Sequence, residues 1–180
     1  MAHHADELHT TQSVLPDGRA VITRRVHAPA GVVWSVLADG WMYPTWVVGA
    51  SRVSAVEPQW PAPGSRLHHS FGAWPVVIND HTEVLALVPG RELRLKARGW
   101  PAGEAHVRIQ VTPGGSPNVS MISIVEDATS GPGKLVPRAA RQLLIAHRNI
   151  ETLRRLAFIA EGRHRLSSAP RDVPAVRRVS

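Results

Sequence analysis

Four polar clusters stand out as candidates for chemistry: His68-His69, Asn79-Asp80-His81, Glu126-Asp127 and Arg148-Asn149. Adjacent histidines suggest metal ligation. Neighbouring residues of a strand point to opposite faces, so His68 and His69 cannot share one cavity without a bulge, and no metal site is expected. Arg66 marks its own face as wet, which turns Leu67, His69 and Phe71 inward. In the next segment Val76, Ile78, Thr82 and Val84 define an inward face that also carries Asp80. A hairpin with an even-numbered loop sets His69 on the same face as Ile78 and Asp80. A carboxylate in an apolar wall needs a partner. His69 as that partner would be an oriented imidazole able to move protons. The structural alternative has Asp80 bonded to a neighbouring backbone group or an arginine, and a reversed register would turn His81 inward instead.

Glu126 ends the last strand, where it can bind a polar substrate group, pair with an arginine or cap the linker that follows. Asn149 can face inward as a hydrogen-bond donor, with Arg148 pairing to Glu126 or Glu151. Trp34, Trp41, Tyr43, Trp46 and Trp74 hold most of the aromatic surface. They serve core packing, or Trp41, Trp46 and Trp74 line the mouth of a cavity for a flat or lipid-like ligand. Phe71, Met121, Glu126 and Asn149 complete the expected ligand-binding set. Two weak motifs carry nothing. Gly131-Pro132-Gly133-Lys134 lacks the first glycine and the final Ser/Thr of a phosphate loop, and no Gly-x-Ser-x-Gly elbow occurs.

The elements that would position these groups follow from periodicity. Residues 1–18 form an expected flexible lead-in, with a first strand from about Arg19 to His27. Pro29 suits a helix start; Val33, Trp34 and Leu37 recur at helical spacing, and Asp39-Gly40 stops the turn. Strands are expected at Ala50–Val56, at Arg66–Phe71 and Val76–Val88 as a hairpin, and at Arg91–Arg98, Glu104–Val111 and Asn118–Glu126. Leu93, Leu95 and Ala97 alternate with Arg94, Lys96 and Arg98, as in a strand with one wet face. A final helix spans Pro137–Glu161, stopped by Gly162, with Leu143, Ala146, Ile150, Leu153, Ala157 and Ala160 as its buried stripe. At 1.5 Å per residue it is nearly 40 Å long, enough to cross a sheet. The fold class is α+β: a curved antiparallel sheet of about six or seven strands, wrapped around a long C-terminal helix, with two short helices after the first strand.

At 180 residues the chain fits one domain with a real core. It has no cysteine, which excludes disulfides, thiolate metal sites and cysteine nucleophiles and favours a cytoplasmic setting. No apolar run is long enough for a transmembrane helix, and the N-terminus lacks a signal pattern. The net charge is +7, and four of those charges fall in residues 163–180, read as a disordered Arg-rich tail that folding and binding do not need. That tail could hold nucleic acid or an anionic membrane only nonspecifically and in a salt-dependent way, so no specific nucleic acid is expected. Arginine far outnumbers lysine, which occurs only at Lys96 and Lys134. With the abundant Ala, Val and Pro this points to a bacterial genome rich in G+C.

Val26-His27-Ala28-Pro29, Trp34 to Asp39, Trp46-Val47-Val48-Gly49, Pro63-Gly64-Ser65, Glu126-Asp127 and Arg148 to Leu153 together resemble the START-related superfamily, and within it the bacterial polyketide cyclase/dehydrase and lipid-transport family. The likeness covers about residues 20–161. It implies a helix-grip domain over 19–162 that binds a small hydrophobic, lipid- or polyketide-like molecule between sheet and helix, as a monomer or homodimer without a cofactor. It also implies an alternative: a cyclase/dehydratase using general acid/base catalysis, with His69 as base, Asp80 as its orienter and Asn149 as an oxyanion donor.

Overall fold

The computed structural model describes residues 9–73, 76–99 and 103–169. Eight strands form one antiparallel sheet: β1 (Thr10–Val14), β2 (Ala20–Val26), β3 (Ala50–Val56), β4 (Arg66–Ala73), β5 (Val76–Val88), β6 (Glu92–Gly99), β7 (Gly103–Pro113) and β8 (Ser120–Ser130). Their spatial order is β1-β2-β8-β7-β6-β5-β4-β3. The chain leaves β2 near one edge and reaches β3 at the other through α1 (Ala30–Leu37), a short 3-10 turn (Gly40–Met42) and α2 (Tyr43–Trp46). A second 3-10 turn (Pro132–Leu135) leads to α3 (Arg138–Ser168), which packs on β2, β8, α1 and α2. This is the expected helix-grip arrangement: a sheet curved around one long helix.

Alternation decides which face turns inward. Leu93 and Leu95 on β6, Val107, Ile109 and Val111 on β7, and Ile122 and Ile124 on β8 are buried, while the residues between them are mostly charged or polar. Ile22 and Val26 on β2 and Val33, Val36 and Leu37 on α1 complete the apolar centre.

Besides β8 running past Glu126 to Ser130, three features differ from the sequence expectation. Thr10–Val14 lies within the expected lead-in yet forms the edge strand β1, paired with Ala20–Arg24. Its side chains are mostly exposed, so it carries no apolar alternation to read. The last helix continues through Gly162 to Ser168. A mid-helix glycine costs about 1 kcal/mol against alanine, and contacts on both sides offset it. The Glu161 carboxylate accepts from the His27 N–H at 2.9 Å, and Arg163 donates to the Ser35 carbonyl at 3.2 Å and meets Asp39 at 3.3 Å. Thus residues 163–168 of the expected tail are helical, and residues from 170 lie outside the described set.

The third difference is rotational. Leu143, expected in the buried stripe, is 69 % exposed, and Gln142 is buried instead. Inward positions of α3 run Gln142, Ala146, Asn149, Thr152, Leu153, Leu156, Ala157 and Ala160. The polar ones gather in the first half. Gln142 is held there by polar bonds rather than by apolar area. Its Oε1 accepts from the Ala20 N–H at 2.9 Å, and its Nε2 donates to Asp127 at 3.3 Å. Gln142→Leu is expected to cost about 1–3 kcal/mol by stranding a buried N–H, read as a lower midpoint in urea; an unchanged midpoint would show that this bond contributes nothing.

Candidate functional site

The two halves of α3 do different work. Leu153, Leu156, Ala157 and Ala160 fill the core beneath the second half. Under the first half the inward side chains are small or polar, and a cavity of about 280 Å³ remains between helix and sheet. Its roof is Arg141, Leu144, Ile145, Arg148, Asn149 and Thr152 of α3. Its end wall is Tyr43 and Trp46 of α2 with Val47, and His69 of β4. Its floor is built from three cross-strand rows. Ala97, Ala105 and Ala128 stand side by side on β6, β7 and β8; Leu95, Val107 and Glu126 form the next row; Ile109 and Ile124 form the third. Three adjacent alanines leave space where larger side chains would meet the helix. Gly103 lies at the rim with φ +106°, and a Cβ there would fall 2.0 Å from the Ser130 carbonyl oxygen. Only glycine suits this backbone approach.

Two ion pairs line the cavity, Arg98–Glu104 between neighbouring strands and Glu126–Arg148 between sheet and helix. Glu126, 3 % exposed, forms an ion pair with Arg148 of α3. Burial works against the Arg148 charge, but the Glu126 carboxylate outweighs it and holds the guanidinium more firmly protonated than usual. Glu151 takes no part, since it binds Arg154 and Arg155.

At the end wall His69 is 3 % exposed. Its Nε2 lies 3.0 Å from the Thr82 hydroxyl, which lies 3.1 Å from the Tyr43 hydroxyl. The His69 Nδ1 and the Trp46 Nε1 are buried without a hydrogen-bond partner. Burial lowers the His69 pKa, with Asp80 and the Ser70 backbone pulling the other way, and burial raises that of Tyr43. The imidazole is therefore neutral near pH 7 and the phenol keeps its proton. Because the folded-state pKa lies below the ordinary 6.5, the unfolded chain binds the proton more readily. The stability contributed by neutral His69 is complete above about pH 6.5 and declines as pH falls through that value. The difference in Tm between wild type and His69→Gln is expected to shrink between about pH 7.5 and pH 5.5; a constant difference in thermal melts would refute the burial effect.

Other expected site residues are placed as follows. Asp80 opposes His69 in register, but the His69 ring bonds Thr82 rather than Asp80. The Asp80 carboxylate accepts from the His81 N–H at 2.8 Å, and Asp80 borders a polar depression with His68 and His81 rather than the cavity. A β-strand neighbour two residues on supplied the closer partner. Trp46 lines the cavity; Trp41 is 60 % exposed and does not. Met121 alternates with the inward Ser120 and Ile122 and faces the other side of β8. Phe71 pairs with Ile78 through its backbone; its side chain and the whole of Trp74 lie outside the described residues. Glu126 and Asn149 both line the cavity. Sequence reasoning missed Thr82 and Tyr43 as polar partners and the row of alanines as the origin of the space. Among the described residues no group of three His, Asp or Glu side chains could hold a metal ion, and no helix is long and apolar enough to cross a membrane.

A family model described as polyketide cyclase / dehydrase and lipid transport matches residues 18–157. A comparison with curated proteins finds no match. Solved structures of similar fold include the Zhui aromatase/cyclase of a Streptomyces species, 20 % identical with a TM-score of 0.63, covering 90 % of this chain and 100 % of that one. A START superfamily protein of Mycobacterium smegmatis is 18 % identical with a TM-score of 0.58, covering 89 % and 99 %. The di-domain aromatase/cyclase StfQ of the steffimycin biosynthetic pathway is 14 % identical with a TM-score of 0.61, covering 89 % of this chain and 54 % of that one.

Proposed function

This chain belongs to the polyketide cyclase/dehydrase and lipid transport family, and from that premise we propose that it binds a small hydrophobic molecule in the cavity beneath the first half of α3. The observation that carries this reading is the form of the cavity. Its floor is mainly alanine, valine, leucine and isoleucine, with Glu126 paired to Arg148 and Glu104 paired to Arg98, and its remaining polar groups lie on α2, α3 and β4. Ligand sites combine a mostly apolar wall with a few fixed polar groups in this way. An apolar body would lie over the alanine row, and a polar end would meet Asn149, Arg148 and the His69 wall.

A second reading, cyclisation and dehydration of a polyketide-like chain, is favoured by the neutral state of His69. Removing a proton beside a carbonyl needs a base that is unprotonated at working pH. In that case His69→Gln abolishes turnover and leaves affinity within a few fold.

Native mass spectrometry of the purified protein tests the leading reading. The expected result is a population carrying an added small-molecule mass, or one that takes up an added bicyclic aromatic ketone at one equivalent. A protein that is bare and stays bare under both conditions would overturn it.

A further inference from the structure

We propose that two copies of this chain associate through β1, pairing antiparallel about Gln12 so that their two sheets join edge to edge. The cavity plays no part in this contact, since no residue of Thr10–Val14 lines it.

The two edges of the sheet, β1 and β3, are built differently. The β3 edge is guarded. Its pairing with β4 breaks register between Ala50 and Arg52 and again between Val53 and Ala55, and Arg52 adds a charge. Bulges and charges of this kind oppose edge-to-edge pairing. The β1 edge has neither device. Thr10 to Val14 pair with Arg24 to Ala20 without a shift. From His9 to Leu15 there is no Asp, Glu, Lys, Arg or Pro, and Thr11, Gln12, Ser13 and Val14 are exposed. Among the described residues nothing pairs with the outer side of β1.

The ladder shows which backbone groups are open. The Arg25 N–H donates to the His9 carbonyl and the Leu15 N–H to the Arg19 carbonyl, each at 2.9 Å. In an antiparallel ladder alternate residues bond the neighbouring strand, so the odd-numbered residues of β1 bond β2. The N–H and C=O groups of Thr10, Gln12 and Val14 therefore point away from the sheet. These groups complement themselves under a two-fold rotation. With Gln12 opposite Gln12, each Thr10 lies opposite a Val14, and every such pair exchanges two backbone hydrogen bonds. Between them each Thr11 lies opposite a Ser13, a hydroxyl pair suited to cross-strand contact. No charge meets a like charge anywhere along the contact. A two-fold contact of this kind is closed, and the guarded β3 edges stop growth at the dimer. Only one short strand is joined, so the association is weak, with a Kd on the order of 10–100 µM.

Sedimentation of the full chain over a range of concentrations is expected to show a monomer–dimer equilibrium. Gln12→Pro removes one outward N–H and leaves the bonds to β2 in place, the situation in which an edge strand accepts proline. It is expected to weaken association about tenfold or more. Gln12→Lys keeps the N–H but sets two ammonium groups opposite each other. It is expected to weaken association as well, with added salt restoring part of the affinity. NMR hydrogen exchange locates the contact. In concentrated protein the Thr10, Gln12 and Val14 amides are expected to exchange slowly and to speed up on dilution, while Thr11 and Ser13 stay protected throughout. A chain still monomeric at about 1 mM, or a dimer that both variants leave intact, overturns the proposal. Slow exchange of the even-numbered amides in the dilute monomer means that another segment of the chain covers this edge, and overturns it too. If Gln12→Pro also exposes Thr11 and Ser13, β1 has detached in that variant, and Gln12→Lys decides alone.

Discussion

Replacing Arg148 with methionine is expected to lower the unfolding free energy by about 3 kcal/mol, because it leaves the Glu126 charge buried without its counter-charge. Glu126 has Val107 beside it in the sheet and only 3 % of its surface exposed, so it is poorly hydrated and depends on the guanidinium for its counter-charge. Adding Glu126→Gln to the same chain is expected to recover most of the loss, since a neutral amide in that place costs far less than a lone carboxylate. Denaturant titration of the wild type, both single variants and the double variant gives the coupling directly. Losses that simply add would show that the two groups do not stabilise one another. The pair also anchors the first half of α3 to β8, so the single variant is expected to lose probe binding along with stability.

The second large effect is expected from Ala105→Trp. Ala105 sits in the middle of the row formed with Ala97 and Ala128, so an indole placed there occupies the space above all three. Affinity for an aromatic probe is expected to drop by about a hundredfold or more, close to complete loss of a ligand of that size. The melting temperature is expected to stay the same or rise, because the added side chain fills existing space rather than displacing packed atoms. Isothermal titration with acetylnaphthalene and a thermal melt check both parts. Undiminished binding would place the ligand somewhere other than this cavity.

The sheet could be read from the sequence because its central strands face water on one side. Arg94, Lys96 and Arg98 against Leu93, Leu95 and Ala97 leave little doubt about period or direction. β1 could not be read, since an edge strand that buries almost nothing needs no apolar pattern. The rotation of α3 was misjudged for a related reason. Leu143 looks like a core residue and Gln142 does not, yet the helix crosses a cavity there and meets a backbone N–H of β2 that only a polar side chain satisfies. At the site, the inward turn of His69 followed from Arg66 and the two-residue period. The choice of Thr82 over Asp80 did not, because both lie on the same strand face and only side-chain geometry separates them. Cross-strand adjacency hid the alanine row as well: Ala97, Ala105 and Ala128 are scattered in sequence and become neighbours only once three strands are paired.

If the cavity holds a ligand as proposed, with its body along that row, the row would act as a graded ruler for ligand length. Its three methyl groups stand on paired strands whose spacing the sheet fixes, and the polar end of the cavity lies at His69 on a different strand. Valine or leucine at any one of the three would therefore shorten the longest molecule accommodated without touching the groups that hold its head. Among homologous chains differing by one methylene, each step past the limit would be rejected by about tenfold or more. Length selectivity and head-group chemistry thus become two independent variables, and the first can be reset by a single substitution.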